Sequence, residues 1–590
     1  MANIVSYPEL VRDTYCQNAI RSVMLIDDNF ITYSQSIEHL NEKSEPELIK
    51  LDASKRAANL ERFFQNKRML CDIDNGVDKL DIDRIRKSDL IIIDYHLEDK
   101  NPLKTINIID ALRNSKQLNI VIVYTQADLK EAWMQTLASL KGNNCASKII
   151  DSCNEYDVTD FWENTALPEI NGNGPLSLTF DEIKYFIETN DTRKAKKNLF
   201  THPEFIKNKA VFQPYLNQLA LAICEEHVLK YNIASSIPTQ TSIASLISED
   251  CMWIKSGNIF VTFFHKGDTE DDSEDIWDCL INALSNWSPS YYNIIKSEIQ
   301  NEIISDSLSF KVHLENDLHG QAAWLNEIIK LDGQKERRDL INIIYKNISD
   351  EIYTNLKDNH NLNRFINDTF DYYHNKFNSQ PIDENSISTK RATYCANEMG
   401  IPSSHNLIND MYHALNMSLS SKNYREKYIS TGTVLKCEND GEWYLCVSAA
   451  CDMVPSQGND LYHEKLHPHR LVKIIKLYKV NADTANKQAT QSRFIFAIEN
   501  GSRMYFSVTH PITSIPLIDY IILRNHKTVN GERIIYATTF KTVTQLNNAI
   551  TQKVLVFKLK SQLRHGYAER YQHVANSYSG RIGVDYINTL

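Results

Sequence analysis

Three uninterrupted apolar runs near the start of the chain each close on a polar group. Val23–Ile26 ends on Asp27 and Asp28, Leu90–Ile93 on Asp94, and Ile120–Tyr124 on Thr125. A strand with one wet face alternates apolar and polar residues, whereas a strand covered on both faces reads as a continuous Val/Ile/Leu run. Strands of the second kind belong to parallel sheets with helical crossovers, and such sheets bring all their carboxyl ends to one edge. That edge is where open α/β sheets carry their ligands. The runs therefore predict a sheet with three acidic side chains and a hydroxyl gathered along one side.

At 590 residues the chain is too long for one core and suggests roughly three domains. Its 75 acidic against 64 basic residues leave a formal charge of −11, which argues against a broad nucleic-acid surface, since phosphate binding needs clustered Lys and Arg. The 11 cysteines are scattered and odd in number. The first residues lack the basic and long apolar regions of a secretory signal, so reduced thiols in the cytoplasm are the expectation. No apolar stretch approaches the roughly 20 residues that a membrane crossing requires.

The expected class is multidomain: a doubly wound parallel α/β sheet, a helical middle, and a β-rich, barrel-like C-terminal module. From Ser22 to about Trp162 short apolar runs alternate with amphipathic stretches, giving strands near 22–27, 67–72, 89–94 and 119–125. The charged segment 36–66 repeats apolar positions at helical spacing through Leu51, Ala57, Leu60 and Phe64, and predicts a long first helix. The domain boundaries follow composition: an α/β domain over 1–165, a Pro/Gly/Asn-rich linker over 166–178, a mainly helical domain over 179–428, and a β-rich domain with a closing helix over 429–590. Inside the helical stretch, 252–264 predicts a hairpin turning on Ser256, Gly257 and Asn258, and the acidic run 268–275 predicts a solvated loop.

Carboxylates held together on neighbouring strand ends form a hard, anionic pocket of the type that suits Mg²⁺. With the repulsion between anions offset, a central carboxylate can act as a nucleophile toward phosphorus. A hydroxyl on the adjacent strand and a lysine on the next would bind the phosphoryl oxygens.

On these residues, 20–150 resembles a response-regulator receiver domain. The resemblance implies that Asp27 and Asp28 are the metal-binding acidic pair, Asp94 the phosphoacceptor and Thr125 the switch hydroxyl. It also implies a metal contact from the backbone carbonyl of His96, two residues beyond the phosphoacceptor. The 31 positions from Asp94 to Thr125 accommodate one helix and one strand, while the 66 from Asp28 to Asp94 exceed the usual spacing by the extended first helix. No apolar fifth strand ending in Lys-Pro follows the helix after Thr125, and Lys148 is the candidate for the receiver lysine. The full architecture resembles response-receiver proteins of bacterial conflict systems, which implies a partner with a histidine-kinase-like ATPase fold and a role in answering phage infection. The leading expectation is a cytoplasmic two-component-like regulator, with homo-oligomers or another protein of the same system as further partners and no membrane or nucleic-acid partner.

Two rivals accompany that reading. A pseudo-receiver would use the same surface as a scaffold, without phosphorylation. A nuclease or hydrolase would carry its site in the C-terminal module, where Cys446, Cys451, Asp452, His463 and His467 stand close in sequence. Their spacing fits no standard zinc motif, and Pro468 interrupts any regular helix there, so Zn²⁺ is disfavoured.

Overall fold

The computed structural model describes residues 6–42, 48–76, 81–97, 101–115, 117–234, 241–267, 271–305, 318–330, 334–380, 387–425, 428–453, 462–491, 493–524, 534–543 and 549–579. Its contacts divide the chain into two compact units, Met1–Ser379 and Gln380–Leu590.

The first unit is built on a sheet of seven strands: β1 (Ser22–Ile26), β2 (Leu70–Asp74), β3 (Leu90–Ile93), β4 (Asn119–Thr125), β5 (Ile243–Ile247), β6 (Met252–Ser256) and β7 (Ile259–His265), in the order β2-β1-β3-β4-β7-β6-β5. The first five in that order are mutually parallel, and β6 and β5 fold back antiparallel. Every residue of β3 and β4 is buried, which explains their unbroken apolar character. Successive side chains serve opposite faces. Met24, Ile26, Ile91, Ile93, Val121 and Val123 join one core, with helices Leu103–Arg113 and Leu129–Lys141. Val23, Leu25, Leu90, Ile92, Ile120 and Ile122 join the other, against helices Leu48–Asn66 and Ser273–Trp287.

The expected hairpin over 252–264 is present as β6 and β7, but it does not stand in a separate helical domain. β7 pairs in parallel with β4 along its whole length, from Asn119 opposite Ile259 to Thr125 opposite His265. The segment 126–258 is thus a largely helical excursion between two adjacent strands of one sheet. The boundaries expected at 165 and 178 therefore fall inside a single unit. The expected linker holds helix Leu167–Asn171, whose Ile170 is fully buried. The long first helix is two helices, Tyr33–Glu42 and Leu48–Asn66.

The second unit begins before the expected 429, because helices Ile387–Glu398 and Leu407–Ser420 lie within it. Its strands are β8 (Ser421–Asn423), β9 (Thr433–Cys437), β10 (Trp443–Cys446), β11 (Arg470–Lys479), β12 (Phe494–Glu499), β13 (Ser502–Ser507), β14 (Ile518–Arg524), β15 (Ile534–Val543) and β16 (Ala549–Leu563). Six of them close on themselves, β10-β9-β16-β15-β14-β11 and back to β10, which makes a barrel and removes its edges. Leu435, Ile474, Leu523 and Phe557 fill its interior. The expected closing helix runs Tyr567–Ser579, after β16 ends at Leu563. Among the described residues no helix is long and apolar enough to cross a membrane.

Candidate functional site

The parallel ladder fixes the site. Asp27 and Asp28 follow the last residue of β1, Asp94 follows β3, and Thr125 ends β4, all at the carboxyl edge of the sheet. Backbone bonds hold the two acidic loops to the sheet: the Asp94 N–H donates to the Ile26 carbonyl at 2.8 Å, and the Asp27 N–H to the Asp74 carbonyl at 3.2 Å. The buried Thr105 hydroxyl donates to the Asp94 carbonyl at 2.8 Å, which fixes the loop from the helix that follows. One ligand oxygen from each of Asp27, Asp28 and Asp94 lies within 4.8 Å of the others. Among the described residues this is the one group of three acidic, His or Cys side chains so placed.

The lysine comes from β7. Lys266 immediately follows that strand, and its N–H makes one more sheet bond, to the Thr125 carbonyl at 2.8 Å. Its Nζ donates to Asp27 Oδ2 at 2.7 Å and to Asp94 Oδ1 at 2.9 Å, with the side chain largely buried. The expectation of Lys148 is therefore corrected: Lys148 is exposed on the short helix Ala146–Asp151. The next parallel strand does not follow directly on the helix after Thr125, because the chain first traverses 126–258. A usable signal existed in the sequence. Ile259–Phe264 is apolar but for Thr262, and Lys266 follows after His265, with Gly267 rather than proline next.

Asn29 serves the acidic pair, its N–H donating to Asp27 Oδ1 at 2.9 Å and its side-chain amide to Asp28 Oδ1 at 2.8 Å. Thr125 is buried, and its Oγ1 accepts from the Ala127 N–H at 3.1 Å. His96 is half-buried with its ring against Tyr95.

Three carboxylates face one ammonium here, an excess of two negative charges if all are ionised. Near a protein surface a like-charged pair about 4 Å apart repels by roughly 4 kcal/mol, so the fully ionised set is unfavourable without a further cation or proton. Asp94 responds accordingly. Burial pushes its carboxyl up to about 6; Lys266 opposes the rise, and Asp27 and Asp28 add to it. Asp28 is also raised, by partial burial and then by Asp27. Burial disfavours the charge on Lys266, but the two carboxylates it touches more than offset this and hold its amine above the usual lysine range.

The C-terminal candidates are not assembled in this way. Cys446 faces the barrel core, fully buried, and burial pushes its thiol up to about 12, which leaves it protonated and suited to packing. Cys451 is exposed, 3.5 Å from Asp452 Oδ1, and the rings of His463 and His467 lie 4.9 Å apart across the short helix His463–Leu466. Among the described residues these side chains form no three-ligand group. The acidic run at 268–275 is not simply a solvated loop either: Asp272 is buried and accepts from the Tyr124 hydroxyl at 2.6 Å, while residues 268–270 lie outside the described residues.

The family model of the response receiver domain matches residues 19–172. The matched span contains Asp27, Asp28, Asp94 and Thr125 and ends before β7 and Lys266. No curated protein and no solved structure matches the chain.

Proposed function

Residues 19–172 form a response receiver domain, which supports a signalling role of the response-regulator kind, and from that premise we propose that Asp94 is a phosphoacceptor served by Lys266 from outside the matched span. The observation that carries this is the position of Lys266, whose ammonium joins Asp27 and Asp94 at 2.7 and 2.9 Å. An ammonium held at the nucleophile is placed to bind the oxygens of an incoming phosphoryl group. The net charge of the cluster fits one hard divalent cation, and Asp27, Asp28 and Asp94, with the His96 carbonyl, would hold it. Bound there, Mg²⁺ supplies charge neutralisation for an anionic phosphoryl donor.

In the transfer itself an Asp94 carboxylate oxygen attacks phosphorus. The new O–P bond forms as the bond from phosphorus to the donor breaks, and the donor group leaves with that electron pair. The donor class is a phosphohistidine on a histidine-kinase-like ATPase or a small acyl phosphate. The acyl phosphate carries roughly two negative charges where the carboxylate carried one, and Thr125 and Lys266 are the groups placed to respond. Thr125 is the point where the chain leaves the sheet for the 126–258 excursion, and Lys266 the point where it leaves the sheet again after β7. Phosphorylation would thus bear on the start of that excursion and on the segment that follows β7, and a role in phage defence is the setting that the architecture suggests.

A second reading is favoured by the same contact. An ammonium already bonded to Asp27 and Asp94 neutralises part of the cluster, as a scaffold that never carries phosphate would require. Acetyl phosphate with Mg²⁺ separates the two. The expected result is a mass gain of one phosphoryl group, lost in Asp94→Asn. No gain, together with Asp94→Asn indistinguishable from wild type in Mg²⁺ and beryllofluoride binding, would favour the scaffold.

A further inference from the structure

Lys266 sits at the point where β7 leaves the sheet, so its own ladder bond to Thr125 fixes only one side of it. Both backbone groups of the next residue are held by side chains from elsewhere. The Gly267 carbonyl accepts from Arg56 Nη2 at 2.7 Å, and the Gly267 N–H donates to Asp272 Oδ2 at 3.3 Å. The same Asp272 oxygen accepts from the Tyr124 hydroxyl at 2.6 Å and lies 3.7 Å from Arg56 Nη1, which in turn is 3.3 Å from that hydroxyl. The Asp272 side chain is 4% exposed and that of Arg56 19%, so the pair is shielded from water. The Tyr124 ring also lies beneath the lysine, 5.2 Å from Nζ to its centroid, within range of a cation–π contact.

We propose that Arg56, Tyr124 and Asp272 are positioning residues that hold the Lys266–Gly267 backbone, and that through it they set how tightly the site takes a phosphoryl group. The inference deepens the phosphoacceptor reading and rests on it. Arg56 comes from helix Leu48–Asn66, part of the additional length between Asp28 and Asp94. Tyr124 directly precedes the switch hydroxyl on β4. Asp272 opens helix Ser273–Trp287. Three elements thus converge on the two residues that carry the lysine, and none of the three side chains bonds to Asp27, Asp28 or Asp94 among the contacts described. A group acting only through Lys266 should affect phosphoryl binding and leave the carboxylates' hold on a cation unchanged. A group that merely stabilises the fold should weaken both.

The test uses the full chain with Asp272→Asn, Arg56→Gln and Tyr124→Phe, measuring by calorimetry the affinity for Mg²⁺ alone and then for beryllofluoride at saturating Mg²⁺. Mg²⁺ affinity should stay within about threefold of wild type, while beryllofluoride affinity falls about tenfold or more in Asp272→Asn and Arg56→Gln, the range usual for residues that orient a site's ligands. Tyr124→Phe, which removes one hydroxyl and preserves the ring, should fold even if the charged-pair variants do not, and should lose a few-fold in beryllofluoride affinity. Asp272→Glu should recover part of the loss. Beryllofluoride affinities equal to wild type, or Mg²⁺ and beryllofluoride affinities falling in parallel, would overturn the positioning role. A wild-type chain that binds Mg²⁺ but not beryllofluoride would overturn the phosphoacceptor reading itself, and the positioning role with it.

Discussion

The two sheets of this protein use their strands in opposite ways. In the first unit, β1, β3, β4 and β7 run parallel with both faces packed, so the strands' flanks have no room for chemistry and their polar residues collect where they end. In the second, six strands close into a barrel whose interior is filled by Leu435, Ile474, Leu523 and Phe557, and one of the candidate residues, Cys446, is part of that filling. Parallel topology concentrates charge at one edge, whereas barrel closure buries side chains along the strands. Proximity in sequence therefore meant little for Cys446, Cys451 and His463, and distance in sequence meant little for Asp27, Asp94 and Lys266.

The sharpest way to break this contrast is at the lysine. Lys266→Ala leaves Asp27 and Asp94 largely buried beside Asp28 without their ammonium, and loss of one partner from such a set costs about 3–5 kcal/mol. Thermal unfolding in metal-free buffer should show that loss, added Mg²⁺ should restore part of it, and phosphoryl labelling by acetyl phosphate should disappear. Lys148→Ala, on an exposed position, should match wild type in all three measurements. If Lys148→Ala abolished labelling while Lys266→Ala did not, the sheet-edge assignment would fall.

The barrel side of the contrast has its own test. Phe557 is fully buried and meets Tyr444 edge-on at 5.7 Å between ring centroids. Phe557→Ala should cost about 3–5 kcal/mol by denaturant unfolding, as expected for an aromatic removed from a packed interior. A change below about 1 kcal/mol, small on that scale, would mean that the barrel centre is a roomy lumen suited to a ligand.

What was legible beforehand follows the same division. The apolar runs at Val23–Ile26, Leu90–Ile93 and Ile120–Tyr124 announced a sheet packed on both faces, because burial leaves a local mark on every residue of such a strand. β7 carries much of that mark, being apolar but for Thr262, but its place beside β4 has none. Its hairpin with β6 could be read from the turn at Gly257, but a parallel neighbour separated by 126–258 is specified by packing rather than by adjacent sequence. Asp272 was hidden for a different reason. An acidic run has a collective polarity that suggests solvent, yet one member is turned inward to Tyr124 and Arg56. The Pro/Gly-rich segment near 172 marked the end of a short helix, where the Gly174 N–H returns to the Glu169 carbonyl at 2.7 Å, and not a domain boundary.

A smaller effect sharpens the electrostatics of the first unit. Asp94 titrates at about 6, above the ordinary carboxylate range, so its proton is held more tightly in the folded chain than in the unfolded one. As pH rises from the ordinary range through about 6, the unfolded chain ionises first, and Asp94 withdraws stability over that window. A cation must displace the same proton, so Mg²⁺ affinity should decline below pH about 6, by up to roughly tenfold per pH unit. Asp94→Asn should weaken both dependences, leaving what the raised carboxyl of Asp28 contributes. A Mg²⁺ affinity independent of pH between 5 and 7, about a unit either side of that value, would place the cation away from Asp94.

The smallest effect concerns the cysteines of the second unit. Cys451 is exposed and contributes little packing, so Cys451→Ala should shift stability by no more than about 0.5 kcal/mol, as is usual for surface positions. Cys446→Ala removes a sulfur from the closed interior and should cost about 1 kcal/mol or somewhat more, in proportion to the small group lost. The order of these two costs carries the information. A thiol used for packing is worth most where it is buried, while a thiol used as a nucleophile or metal ligand is worth most where it can be reached. If Cys451→Ala proved the more damaging of the two, or if zinc co-purified in proportion to the protein and was lost with that substitution, the second unit would hold a site organised through the exposed cysteine. Such a result would end the contrast between a sheet edge that gathers charged side chains and a barrel that only packs.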